Sequence, residues 1–330
     1  MIILGIESSC DETAAAVVKN GETILSSVVA SQIAVHRPYG GVVPELASRK
    51  HIEAIVPVVN KALETAGISK KQLDGIAATQ GPGLVGALLV GFGFAKALAY
   101  GLDLPLIGVN HLEGHIFSVF LHDSLPQFPF VSLLASGGHT AIYLVESFTE
   151  YRRLGQTRDD AAGEAFDKVA KMMGLGYPGG RVLETLAAKG DPSKIQFPRA
   201  FIDKKNFDFS FSGVKTAVLR YLQTHDNYAD HMADIAAGFQ ESVVDVLSHK
   251  IIHAAEVTGC RNISVVGGAA ANRRLRDRIR IEADRRGVSV HIPPISLCGD
   301  NAAMIAAVGY HQLLRGERTD RAADVYSRVR

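Results

Sequence analysis

Two stretches of this chain, "IILGIESSCDETAAAVV" (2–18) and "FVSLLASGGHTAIYLV" (130–145), follow one plan. Each has an apolar run, a short Ser-containing turn, and a second apolar run that opens at a Thr, Thr13 or Thr140. Runs of this length joined by so tight a turn read as β-hairpins. The same hairpin, met twice more than a hundred residues apart, argues for an internal duplication and so for two related α/β lobes. A length of 330 residues suits two domains.

The rest of the pattern fits such lobes. A third strand, "TILSSVV", follows the turn "KNGE". Residues 44–67 carry apolar side chains at 52, 55, 56, 59 and 63 and stop at Gly67, which predicts an amphipathic helix. A short strand "GIAAT" precedes a buried helix, "GLVGALLVGFGFAKALAYG", with small residues at 86, 87, 91, 93 and 95. Helices are expected at about 159–173, 213–223 and 229–258, a strand at "ISVV", and further helices from about 270 and 300. We expect an N-terminal lobe of 1–128, onto which 300–330 packs back, and a C-terminal lobe of 129–299.

Composition excludes several classes. Lys and Arg number 35 against 34 Asp and Glu, so no global field marks a DNA-coating protein, and any nucleic-acid contact is a local patch. Three scattered cysteines, Cys10, Cys260 and Cys298, suit a reducing, cytoplasmic setting. The N-terminus lacks a basic region and a cleavage site. The uncharged stretch 75–95 is broken by "GPG" and ended by Lys96, so no membrane span is expected.

The chemistry starts at "NHLEGHIF" (110–117). His111 and His115 stand one helical turn apart, with Cβ atoms roughly 5–6 Å from each other on one face. A helix with one surface and one core imidazole is the plain alternative. Asp300, in "LCGDNAAMIAA", is the candidate third ligand and is expected to be the N-cap of the last helix. Two imidazoles and one carboxylate suit non-haem iron, and zinc accepts them too. A zinc protease of the H-E-x-x-H type needs an acid where this chain has Leu112, and Glu113 points to another face.

Other segments hold further candidates, each with a structural alternative. "ASGGHT" (135–140) predicts a nest of backbone N–H groups for phosphate oxygens, or else a plain hairpin turn. "VVGGAAANRRLRDRI" (265–279) is a strand ending in Gly267-Gly268 before a helix carrying Asn272; it is neither a P-loop nor G-x-G-x-x-G. Asp11 and Glu12 occupy the first turn, as site acids or solvated caps. Asp167 sits on a helix that leads into a Gly/Pro turn containing Gly179 and Gly180. "RRLRDRIRIEADRR" packs seven arginines among three acids, as a solvated helix face or an RNA contact that Arg37, Arg49, Lys50 and the Arg-rich tail near 315–330 extend.

Taken together the motifs resemble one family nearly end to end, the tRNA N6-adenosine threonylcarbamoyltransferases of the bacterial TsaD (Gcp/YgjD) type. "GIESSCDET", "YGGVVPELASRKH", "GPGLVGALLVG", "VNHLEGHI", "LLASGGHT", "GEAFDKVAKMMGLGYPGG", "FSFSGVKTA", "VVGGAAANRRLR" and "DNAAMIA" stand in the family's order. The resemblance implies an α/β, actin-like and Hsp70-like (ASKHA) fold of two duplicated lobes with a nucleotide cleft between them. It implies that His111, His115 and Asp300 bind one divalent metal, Fe(2+) ahead of Zn(2+). It further implies that Leu134, Ala135, Ser136, Gly137, Gly138, Asp167, Gly180 and Asn272 hold the adenylate substrate, threonylcarbamoyl-AMP, in a cleft that ATP or ADP also fits. Glu184 stands where some relatives use Asp for the ribose.

The implied reaction moves threonylcarbamoyl to N6 of the adenosine beside the anticodon in tRNAs reading ANN codons and releases AMP. Asp11 or Glu12 is the candidate for orienting that amine or taking its proton. The implied partners are tRNA, a TsaB-like paralogue, a TsaE-like ATPase and a TsaC/Sua-type synthase, with no membrane. Helices 84–100 and 44–66 are the expected docking face, which Gly86→Arg would disrupt. One departure stands out: the family's Cys-Thr-Asp-Asn is Cys298-Gly299-Asp300-Asn301 here, without the hydroxyl that would support the metal ligand. The competing readings are a metalloprotease (O-sialoglycoprotein endopeptidase) and an ATPase or sugar kinase of the same fold.

Overall fold

A computed structural model describes residues 1–122, 124–200 and 206–328. The chain divides into two compact units, Met1–Ser124 with Gly299–Arg330, and Leu125–Cys298.

The first unit is built on a five-stranded mixed sheet. Its strands are β1 (Ile2–Glu7), β2 (Glu12–Lys19), β3 (Thr23–Ser31), β4 (Gly75–Gly81) and β5 (Leu106–Asn110), in the order β3-β2-β1-β4-β5. The β1–β2 and β2–β3 pairs are antiparallel, and β1–β4 and β4–β5 are parallel. Strand β1 is apolar on both faces because both are covered. Leu4 and Ile6 pack with α2 (Pro44–Ala66) and α3 (Val85–Leu102), which follow the short α1 (Ile33–His36). On the other face lies the helix Ala302–Leu314. It comes so close that a Cβ on Gly5 would collide with the Ala302 carbonyl, and one on Gly309 with Ala77. Helix α4 (His111–Phe117) follows β5 directly.

Helix α2 starts with Pro44 at its first turn and ends at Gly67 in the left-handed region (φ 67°), as its sequence predicts. Among the described residues α3 is the one helix long and apolar enough to cross a membrane. Here its Leu88, Phe92, Ala95 and Ala99 are buried in the unit. After the last helix the chain straps the sheet edge. Thr319 N–H donates to the Leu106 carbonyl (2.8 Å) and Thr319 Oγ1 accepts from Gly108 N–H (2.7 Å). Further on, Gln80 Nε2 donates to the Asp324 carbonyl at 2.7 Å and Lys96 Nζ to the Ala323 carbonyl at 3.0 Å.

The second unit has the same sheet plan. Strands β6 (Phe130–Ala135), β7 (Thr140–Val145), β8 (Tyr151–Gln156), β9 (Asn262–Val266) and β10 (Ser289–His291) run in the order β10-β9-β6-β7-β8. Again a hairpin and a third antiparallel strand are followed by two parallel strands. Its helices are α5 (Ala162–Met172), α6 (Gly179–Ala187), α7 (Ser212–Thr224), α8 (Met232–Thr258) and α9 (Arg273–Asp284); the helix Ala302–Leu314 of the first unit is α10. The 27-residue α8 runs through the core, with Phe239, Val243, Leu247 and Ile251 buried against β6 and α5 side chains such as Leu133 and Phe166.

Gly179 and Gly180 do not form the expected turn. They are the first turn of α6, with Pro178 at the N-cap. Two glycines are poor helix formers, but the opening amides of a helix need partners from outside it. The Asp167 carboxylate provides one by accepting from Gly179 N–H at 2.7 Å.

Candidate functional site

The histidine pair is fixed by how α4 begins. Asn110 caps the helix, its Oδ1 accepting from Leu112 N–H (2.9 Å) and Glu113 N–H (3.4 Å). His111 and His115 then leave one face with ring centroids 4.8 Å apart. Helix α10 brings the third group, and the near contact of Gly114 with Met304 and Ile305 permits its approach.

Asp300 is not the N-cap of α10. Asn301 takes that role, with Oδ1 accepting from Met304 N–H (3.1 Å) and Nδ2 donating to the Gly299 carbonyl (2.9 Å). Both residue types cap well, and handing the cap to Asn301 turns Asp300 toward the histidines. Its Oδ1 lies 3.1 Å from His115 Nε2 and 3.6 Å from His111 Nε2. One ligand atom from each of the three side chains falls within 4.8 Å of the others.

The chemistry of this set fits a divalent cation. Bonds of about 2.0–2.2 Å to one ion put its ligands roughly 3–3.6 Å apart, and the two distances to Asp300 lie in that range. Behind His111 stands Glu7, a buried acid at the end of an apolar strand. Its Oε2 is 2.9 Å from His111 Nδ1 and accepts from Thr79 Oγ1 at 2.6 Å, while Oε1 accepts from Ser9 N–H at 2.5 Å. A proton held on Nδ1 toward Glu7 leaves Nε2 as the ligand nitrogen. Burial pushes the Glu7 carboxyl up, but the His111 charge and hydrogen bond, with Thr79, hold it below its usual value. Burial alone would lower His111; the Glu7 and Asp300 charges overcome it and raise the imidazole to about 9. A field that holds a proton there also favours a cation. His115 has no such support, and its Nδ1 is buried without a hydrogen-bond partner among the described residues.

Glu113 faces away from this centre. It accepts from Gln312 Nε2 at 3.3 Å, and burial raises it to about 7 against that hydrogen bond. It offers no base to the histidine pair, as the missing H-E-x-x-H pattern predicts.

The Asp11–Glu12 turn belongs to the same unit. Asp11 ends the turn after β1 and Glu12 opens β2; the Asp11 carbonyl accepts from Gln32 N–H (3.0 Å), and Ser31 Oγ donates to Glu12 Oε1 (3.1 Å). Burial first, then the Asp11 and Asp300 charges, push Glu12 up to about 9 despite Ser31, so it is protonated at neutral pH. Burial and Asp11 also raise the Cys10 thiol, which disfavours the thiolate form there.

The second set of predicted residues is joined into a chain of contacts within the other unit. Ser136 closes the β6–β7 turn, donating from N–H to the His139 carbonyl (2.8 Å) and accepting His139 N–H on Oγ (3.1 Å). Its carbonyl accepts from Gly163 N–H at the start of α5 (3.1 Å). From α5, Asp167 reaches the α6 terminus; from α6, Glu184 Oε1 accepts Arg273 N–H of α9 at 2.6 Å. Asn272 caps α9, accepting from Leu275 N–H (2.9 Å), and its Nδ2 donates to Gln240 Oε1 (2.8 Å). The chain closes where Gly267 (φ 89°) meets the Ala135 carbonyl, which a Cβ would approach to 2.5 Å.

Leu134 and Ala135 are buried strand residues and offer only backbone. The expected nest is not formed in the left-handed sense, because neither Gly137 nor Gly138 has a positive φ. What those glycines supply is room: a Cβ at Gly137, Gly138, Gly180 or Gly268 would meet nothing within 4 Å. Asp167 and Glu184 both hold helix termini here.

The arginine-rich helix is mostly satisfied internally. Arg274 pairs with Glu241, Arg278 with Asp245, Arg285 with Glu282, and Arg286 with Glu256 and Glu282; Arg276 donates to the Ala270 and Pro293 carbonyls. Arg273 and Arg280 are exposed. Lys50 pairs with Glu53, Arg321 lies over the Tyr100 ring, and Val329 and Arg330 of the tail lie outside the described residues. The small-residue face of α3 is turned partly inward, since a Cβ on Gly86 meets Ser48 and one on Gly91 meets Ser8. Ile52, Val56, Val85 and Leu89 are the exposed apolar residues of α2 and the first turns of α3.

The sequence profile of the TsaD family, described as tRNA N6-adenosine threonylcarbamoyltransferase, matches residues 23–307. The chain belongs to the TsaD family. A relative of that same description from Desulforapulum autotrophicum is 62% identical and covers 100% of this chain and 99% of its own length. Another, from Geotalea uraniireducens, is 56% identical over 95% of this chain and 92% of its own. TsaD membership makes this chain a tRNA-modifying transferase and leaves the protease reading without support. Solved structures share the fold at low identity. The (R)-2-hydroxyglutaryl-CoA dehydratase component A of Acidaminococcus fermentans aligns with a TM-score of 0.56 at 18% identity, covering 95% of this chain and 99% of that one. T. kodakarensis HypF aligns at 0.64 and 16% over 96% of this chain and 48% of its own length. These share the actin-like, ASKHA-type α/β fold.

Proposed function

We propose that this TsaD-family chain transfers the threonylcarbamoyl group from threonylcarbamoyl-adenylate to N6 of the adenosine 3′-adjacent to the anticodon in tRNAs reading ANN codons, releasing AMP. The observation that carries this reading is the convergence of His111, His115 and Asp300, with Glu7 behind His111, in a chain that belongs to the family.

His111, His115 and Asp300 hold a divalent metal, iron(II) in our reading with zinc as the competitor. When bound, such an ion supplies Lewis acidity toward carboxylate or carbonyl oxygens. Glu7 fixes the His111 tautomer. The Gly137–Gly138 turn, Gly180, Gly268 and the α5, α6 and α9 termini bind the adenylate through backbone N–H groups and helix dipoles, and ATP or ADP uses the same groups. Asp167, Glu184 and Asn272 keep these termini in place. Asp11 and Glu12 orient the acceptor amine, a poor nucleophile, and Asp11 takes its proton, because Glu12 already carries one at neutral pH. The lobes in this proposal are 1–128 with 300–330, and 129–299, in a cytoplasmic enzyme. A TsaB-like paralogue docks on the exposed apolar residues of α2 and α3. A TsaE-like ATPase and a TsaC/Sua-type synthase complete the system.

The test is mass analysis of nucleosides from tRNA incubated with this chain, those partners, threonine, bicarbonate and ATP. The modified adenosine is expected with the complete mixture and absent when this chain is left out. Its formation without the chain sinks the reading.

A further inference from the structure

His51 lies on α2, is fully buried, and has no part in the chemistry proposed above. Its ring is held at both nitrogens: Nε2 is 2.9 Å from the Cys10 carbonyl oxygen and Nδ1 is 2.8 Å from Thr13 Oγ1. A carbonyl oxygen only accepts, so Nε2 carries the proton and donates to Cys10, and Nδ1 accepts from the Thr13 hydroxyl. Burial lowers the pKa of this imidazole, in keeping with a neutral ring. Cys10 and Thr13 bracket Asp11 and Glu12.

The same turn is held elsewhere by Ser9, whose Oγ is 3.2 Å from His111 Nδ1, and by Gln32 N–H on the Asp11 carbonyl at 3.0 Å. Gln32 is itself tied to α2 through the Ala47 carbonyl at 3.3 Å. The acidic turn is thus clamped between the histidine centre and α2, and His51 is the side chain that grips both of its ends.

We propose that His51 is a positioning residue, whose imidazole, bonded to Cys10 and Thr13, sets the direction in which Asp11 and Glu12 present their carboxyl groups. This rests on the assignment of Asp11 and Glu12 to the acceptor amine. A shift of the turn by about 1 Å is enough to slow the reaction on the order of 100-fold.

The variants separate the two ring nitrogens. His51→Gln puts a carboxamide N–H near the place of Nε2 and keeps the bond to Cys10, whereas His51→Asn reaches only the Nδ1 position. With the full chain, its metal and partner proteins, His51→Asn is expected to lower kcat on the order of 10- to 100-fold, with KM for tRNA and metal content unchanged. His51→Gln recovers most of kcat, and Thr13→Val, which removes one bond, costs less than His51→Asn.

Two readouts need no turnover. The imidazole nitrogen NMR shifts of the unaltered chain report an Nε2–H tautomer, and amide hydrogen exchange over residues 8–13 quickens in His51→Asn but not in His51→Gln. A ring protonated at Nδ1 overturns the proposal. So does a His51→Asn variant with unaltered exchange and kcat, or one whose kcat falls only in step with lost metal. If the unaltered chain makes no modified nucleoside, the functional reading fails, and the tautomer and exchange measurements still decide how the turn is held.

Discussion

The turn of the first hairpin, between β1 and β2, and the turn of the second, between β6 and β7, occupy equivalent places in two sheets of the same strand order. Around the first stand Glu7, Asp11, Glu12, His51 and His111, all but Glu12 buried. The second is Ser136-Gly137-Gly138-His139, with two exposed glycines and helix termini around it. One scaffold therefore supports two kinds of recognition. Side-chain ligands need further side chains behind them to fix tautomer and direction, so that site is dense in buried ionisable groups. A site made of backbone N–H groups needs only the absence of Cβ atoms and firmly seated helix ends.

Substitutions test this contrast most directly. His111→Ala or Asp300→Ala is expected to abolish bound divalent metal and transfer together, read by elemental analysis and nucleoside mass analysis. Glu7→Gln should weaken metal retention by about 10- to 100-fold, while Gly138→Ala leaves it untouched. Metal loss in Gly138→Ala would break the comparison. Next in size, Gly267→Ala forces a side chain into the left-handed region and against the Ala135 carbonyl. Thermal or denaturant unfolding should show a loss of about 2 kcal/mol or more, with weaker adenylate binding and, in the folded fraction, normal metal content.

Some of this division is legible in the sequence and some is not. The hairpins are plain because fully covered strands are continuous apolar runs, and the i, i+4 spacing alone aims His111 and His115 together. Asp300 against Asn301 is ambiguous, since adjacent residues with equal capping ability are resolved only by the path of the chain into α10. Glu7 reads as the end of a strand; its signal is a charge closing an otherwise apolar run, which requires a buried partner. Gly179-Gly180 reads as a turn because helix propensity ignores Asp167, twelve residues away in sequence. Strand β8, "YRRLGQ", is an exposed edge and lacks the apolar alternation that marks a strand.

Titration sharpens the comparison further, because Glu12 of the first unit and Asp160 of the second respond to pH with opposite sign. Glu12 has a folded pKa of about 9 against an ordinary 4.5, so the folded chain keeps a proton that the unfolded chain loses. Its contribution is fully present below pH 4.5 and is lost as pH rises toward 9. Asp160 of the second unit is subject to burial, which raises it, but Lys168 and Lys215 hold it below its ordinary 3.8. Its contribution is present above pH 3.8 and disappears in stronger acid. In metal-free protein, Glu12→Gln should therefore flatten the fall in stability between about pH 5 and 9. Asp160→Asn should flatten the acid limb; the reverse assignment of limbs would refute the contrast. Smallest of all, Gly299→Thr restores the family's hydroxyl at a position where a Cβ meets nothing within 4 Å. Stability should change by no more than about 0.5 kcal/mol, and metal retention should hold or improve.

The strap from Thr319 to Asp324 has a practical consequence. It covers the outer rim of β5, whose Leu106 carbonyl and Gly108 amide would otherwise be open. Shortening the chain at Gly316, or pulling on its end with a bulky fusion, bares an unpaired strand. Such a strand seeks its hydrogen bonds from another copy, and self-association on trimming would be the first sign that the tail acts as a guard.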